Sequence, residues 1–196
     1  MNAITSLFLR AKHWQLLLLL ICVPFFGQVA CVTYLLLVAQ RRPEHFVRAG
    51  GWLFGIVFAL YIFCNLSWLW SLGSFLNSVV PRPLKPRMGF FRFAMIYPTV
   101  YVFAFIAVLQ IQNLTAFALI MPFHFFAMFC MFYSLYFVSK NLVMAESSKS
   151  VSFDGYAGPF FLIWFLPLGI WFIQPRINRI YALKRSGEPV TGANAG

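Results

Sequence analysis

Carboxylates are nearly missing from this chain: 196 residues hold 4 Asp and Glu against 15 Lys and Arg. The four are Glu44, Glu146, Asp154 and Glu188, and all lie outside the stretches that also lack Lys and Arg. A proton- or cation-coupled transporter ordinarily keeps a carboxylate at mid-membrane, so this scarcity counts against that class. Cysteine is equally sparse. Cys22, Cys31, Cys64 and Cys130 sit within apolar stretches without CxxC spacing. They read as small packing residues, and neither a disulfide framework nor a zinc site is expected. No Ser-His-Asp set, GxSxG elbow, Walker loop or HExxH occurs, nor do aspartate-rich magnesium motifs. The expectation leans against an enzyme, with no catalytic residue, metal or cofactor assigned.

What fills the chain instead is apolar. Hydrophobic residues make up 62% and charged residues 10%, where a soluble domain carries about a quarter charged. Four stretches have no Asp, Glu, Lys or Arg: 14–40, 49–80, 93–139 and 155–175. A helix needs about 20 residues to cross the hydrocarbon core. The third stretch therefore holds two spans, hinged at Gln110, Gln112, Asn113 and Thr115. None alternates as a barrel strand does. The fold class expected is an all-α polytopic transmembrane helical bundle, one domain over 1–185. Its spans fall at about 14–40, 52–80, 93–110 and 114–139. A fifth apolar segment, 156–174, is broken by Pro159, Pro167 and Gly169 and is either re-entrant or spanning. Residues 186–196 read as a disordered tail. The first apolar run follows Arg10 and Lys12 as in a signal sequence, but Gln28 spoils a cut before Cys31. It is read as an uncleaved span.

Charge gives an orientation. Arg10 and Lys12 precede the first span; Arg41, Arg42 and Arg48 follow it. Arg82, Lys85, Arg87 and Arg92 follow the second, none lies at the hinge, and Lys140 and Lys149 follow the fourth. Arg176, Arg179, Lys184 and Arg185 lie near the C-terminus. With four spans and a cytoplasmic N-terminus, twelve of these are inside and three outside; with five spans the bias vanishes. The positive-inside rule favours four. The net charge of +11 then reads as orientation and contact with anionic headgroups, not nucleic acid. The prolines of the segment Pro81, Arg82, Pro83, Leu84, Lys85, Pro86 and Arg87 favour an extended basic loop. Ile177, Ile180, Tyr181 and Leu183 recur at helical spacing among basic residues, the pattern of a helix lying at a membrane surface.

Helices associate in a membrane through close backbone approach and side-chain hydrogen bonds. Gly51, Gly55 and Ala59, then Ser67, Ser71 and Ser74, form a stripe of small residues along the second span. They are the candidates for a packing or oligomer interface, with Val57 and Leu69 placed on the face away from it. His124 is the one histidine inside a span; bonding to a neighbouring helix is the plain expectation, and haem or metal ligation the sharper one. Asp154, Gln174, Arg176 and Asn178 complete the polar candidates.

Residues 153–178 carry a Phe-rich run, a central Pro167-Leu168-Gly169-Ile170-Trp171 and a closing Gln174-Pro175-Arg176-Ile177-Asn178. This segment resembles the C-terminal signature of uncharacterised bacterial multi-pass proteins. The resemblance implies a bacterial inner-membrane protein and transfers no catalytic residue. Three functions compete. The first is a non-enzymatic packing, assembly or regulatory subunit of a membrane complex, binding a homo-oligomer or another membrane protein. The second is a small pore or transporter lined by Ser67, Ser71 and Ser74. The third is a lipid-active enzyme using Asp154 and the Gln174–Asn178 cluster.

Overall fold

A computed structural model describes residues 3–41, 43–111 and 113–188, leaving aside the side chains at 3–4, 38–41, 43–49, 51 and 109–110. The described residues are almost entirely helical and contain no strand. A short α1 (Ala3–Arg10) leads into α2 (His13–Leu17). A π-helical turn, Leu18–Cys22, joins α2 to α3 (Val23–Arg41). Pro24 explains the turn: it has no N–H for the carbonyl of Leu20, and a wider turn absorbs the loss. Four more helices follow: α4 (Pro43–Val79), α5 (Gly89–Ile111), α6 (Leu114–Ser147) and α7 (Phe153–Trp164). The last is α8 (Leu166–Ser186).

Four of these segments are long and apolar enough to cross a membrane: His13–Leu37, Trp52–Val79, Gly89–Val108 and Leu114–Ser147. Exposed Phe25, Phe26, Phe63, Phe103, Phe123 and Phe125 coat their outer faces, the surface that lipid tails cover. The chain is a multi-pass helical membrane protein. Several helices exceed the apolar runs that announce them. α6 continues through Lys140 to Ser147 because a charge outside the hydrocarbon does not end a helix. It does end at Ser148, in the left-handed conformation at φ 52°.

α3 and α4 pair along their length, as do α5 and α6, and α4 joins the two pairs. The asymmetry lies at the end of the bundle carrying the chain's N-terminus. There α7 packs on α6 and α8 on α1 and α2. One residue, Phe165, separates α7 from α8, and the chain folds back sharply there. A Cβ placed on Gly169 would fall 1.5 Å from the carbonyl oxygen of Leu162. Only glycine permits that approach. Trp164, at the tip, meets Phe132 in the middle of α6 at 5.0 Å. α8 then returns to the level of Glu146, near the end of α6, which Arg176 clasps through two hydrogen bonds. The broken segment is thus a helical hairpin reaching about half the length of α6.

This hairpin completes the core. Leu16, Leu20, Leu72, Leu142, Ile170 and Ile173 are fully buried. Ile177 and Ile180 are buried as well. Their stripe is covered by protein, which corrects the picture of a helix lying on a bilayer surface. Helical periodicity reports a buried face without reporting what buries it. Ser186 belongs to α8, and Gly187 caps it at φ 78°. The rest of the expected tail, from residue 189, lies outside the described residues.

Candidate functional site

The polar candidates divide into two groups. At the basic end, α8 presents Gln174 and Asn178 one turn apart. The Nε2 of Gln174 donates to the carbonyl oxygens of Phe8 and Ala11 at 2.9 and 3.1 Å, and to Oδ1 of Asn178 at 2.9 Å. Asn178 donates to Ala11 at 3.2 Å. The carbonyls ending a helix have no partner within it, and these two side chains supply donors. Gln174 is fully buried and its Oε1 has no partner. Arg176 turns to the opposite side and chelates Glu146, which is 8% exposed. His13 and Trp171 pack ring to ring at 4.4 Å, and Arg10 lies over Tyr181.

Asp154 does not join this cluster. It stands exposed in the first turn of α7, where a carboxylate suits the helix dipole, and has no ion pair among the described residues. Arg176 and Asn178 are bonded to Glu146 and Ala11 respectively, and neither to Asp154.

The second group lies within the spans. His124 of α6 shares a hydrogen bond of 3.1 Å with the Tyr101 hydroxyl of α5. Phe105 lies 5.7 Å from the imidazole, centroid to centroid. An apolar cavity of about 280 Å³ opens beside the pair, lined also by Phe58, Met128 and Met131 and bounded by Trp164. Tyr101 is a partner that sequence reasoning missed, because nothing in spacing alone pairs positions on different helices. Among the described residues, no three His, Cys, Asp or Glu gather as a metal site would require.

The small-residue stripe is spread over several environments. A Cβ on Gly55 would sit 2.7 Å from Ile106 of α5. Ser71 is buried and donates to the carbonyl of Ser67 at 2.8 Å. Ser67 and Ser71 border an open groove of about 330 Å³ with Thr5, Met95 and Thr99. Ala59 lines a smaller cavity with Thr99 and Val102. Ser74 is half-buried, and the surroundings of Gly51 lie outside the described residues. Gly73, between two stripe positions, makes a closer contact than Gly55: its Cβ would meet Phe91 at 2.4 Å. Leu69, placed on the opposite face, is 3% exposed and belongs to the core. α4 packs against α1, α3, α5 and α6, so more of its faces are covered than a two-faced reading allows.

No family model, curated protein or solved structure matches the chain.

Proposed function

We propose that this chain is a non-enzymatic subunit of a bacterial inner-membrane complex, with a packing, assembly or regulatory role. One observation carries the reading: the polar residues best suited to chemistry are engaged in holding the fold. Gln174 and Asn178 terminate α1, and Arg176 ties α8 to α6. The groove at Ser67, Ser71 and Thr99 offers small hydroxyl-bearing residues on the flank of the bundle. Such a surface suits another transmembrane helix. We further propose that the basic end is cytoplasmic, from the twelve-to-three bias.

Chromosomally tagged protein, cross-linked in intact membranes and solubilised mildly, tests the reading. A defined complex larger than the chain is expected, lost when Ser67→Phe fills the groove. A lone monomer in membranes would overturn it. Homo-oligomers conducting a solute in proteoliposomes would put the pore in its place.

A further inference from the structure

We infer that a cavity between the start of α5 and the basic end of α6 binds one anionic phospholipid with a hydroxyl-bearing headgroup. The cavity measures about 350 Å³ and is lined by Arg87, Gly89, Phe90, Tyr133, Lys140 and Asn141, among others. Two of these residues are cations, and no carboxylate lines the cavity. Arg87 is exposed and has no ion pair among the described residues. Lys140 is held in place: its Nζ donates to the Tyr136 hydroxyl at 3.0 Å and lies 5.3 Å from the centre of that ring.

Three further features point to a phosphate with a donor attached. α5 begins at Gly89; the N–H of Arg92 donates to the Met88 carbonyl, and those of Gly89, Phe90 and Phe91 precede it without a backbone acceptor. The N–H groups of the first turn are thus free for an anion, and the helix dipole favours one. Nothing lies within 4 Å of where a Gly89 Cβ would stand, so the approach is open. Asn141 is fully buried; its Nδ2 donates to the Phe137 carbonyl at 2.7 Å, while its Oδ1 has no partner. A buried acceptor without a donor is costly. Phosphate at neutral pH brings acceptors only. A glycerol-type headgroup brings hydroxyl donors beside its phosphate. An ammonium headgroup would also donate, but would add a third positive charge to Arg87 and Lys140.

The depth fits a lipid. Arg92 and Lys140 bound the charge-free stretch 93–139, so they mark the level where hydrocarbon gives way to headgroups. Tyr133 lies two turns deeper on α6 and packs edge-on against Phe90 at 4.5 Å between centroids. Those rings form an apolar wall for the first part of an acyl chain. A free phosphate would meet the same cations without using that wall.

The test uses the full chain in phosphatidylcholine nanodiscs, titrated with phosphatidylglycerol, inorganic phosphate or glycerol phosphate, and read by native mass spectrometry and thermal shift. Phosphatidylglycerol should be retained at one per chain, at least about tenfold over phosphatidylcholine. The Arg87→Gln/Lys140→Gln pair should lose that preference. Lys140→Arg should keep it, as should Arg82→Gln on the exposed loop. Equal retention of phosphatidylcholine would overturn the proposal. So would a thermal shift from inorganic phosphate or glycerol phosphate matching that from phosphatidylglycerol, because the ligand would then be water-borne. The lipid competition on the unmodified chain decides even if the paired variant does not fold.

Discussion

Gln174 and Asn178, one turn apart on α8, both donate to the carbonyl oxygen of Ala11, at 3.1 and 3.2 Å. Two side chains of one helix thereby close the start of the chain onto its end. Gln174→Leu keeps the volume and removes the donors. It leaves Phe8 without a side-chain donor and should cost about 1–3 kcal/mol. Asn178→Leu keeps the Gln174 bonds to Phe8 and Ala11 and should cost less. Thermal unfolding in detergent ranks the two, and the opposite order would mean that Asn178 is the main tie.

Gly169 should be the least replaceable glycine of the hairpin. Its Cβ would strike backbone, the Leu162 carbonyl, which cannot rotate away. Gly169→Ala should sharply lower the yield of folded protein. Gly158, also helical, has nothing within 4 Å of its Cβ position. Gly158→Ala should be neutral or stabilising by up to about 1 kcal/mol, from helix propensity. Equal damage at both would mean that the sharp turn is not what Gly169 protects.

On α4, Gly73→Leu should destabilise more than Gly55→Leu. Gly73 abuts Phe91, which is fully buried, stacked 4.3 Å from Phe137 and 6.1 Å from Trp70, and cannot swing aside. Gly55 abuts a single isoleucine. Leu60→Phe, at a position 59% exposed, is the lipid-facing control and should be tolerated. Leu69→Phe should not be, since Leu69 lies in the core.

Sidedness follows from contacts far apart in sequence. Lys184 reaches Ser78 at 2.6 Å, and Gln174 reaches Ala11. Cysteines placed singly at positions 12, 85 and 186 of a cysteine-free chain should therefore label from one side of the membrane. Labelling of position 186 from the opposite side would mean that the last segment spans.

Lys184 has its pKa lowered, first by burial and then by the positive charge of Lys85. The charged form is thus disfavoured in the fold, and its penalty fades as pH rises through the lowered pKa. A neutral amine acylates. The pH profile for acylation of Lys184, followed by peptide mass mapping, should move to higher pH in Lys85→Gln. No movement would separate the two charges.

The four spans were legible because the absence of charge is a one-dimensional signal. Their ends were not: α4 begins at Pro43 and α6 runs to Ser147, since helices continue into headgroups where hydropathy stops. Pro159, Pro167 and Gly169 flagged a break. Pro159 nevertheless sits inside α7, and Pro167 lies at the start of α8. That the chain reverses there depends on Gly169 meeting Leu162, a contact no periodicity encodes. The Ile177 and Ile180 pattern told of burial but could not tell protein from lipid. Partners such as Tyr101 for His124, or Glu146 for Arg176, join separate helices and needed the packing.

The bonds from Gln174 to Phe8 and Ala11 join positions 166 and 163 apart in sequence. The ribosome delivers α1 well before α8. At about 5–20 residues per second, the early carbonyls wait roughly ten to thirty seconds for their donors. Throughout that interval the four spans can insert and pair, yet the bundle stays open beside α1. A chain that stops before α8 never closes. α8 therefore acts as a seal, fastening only molecules translated through Asn178.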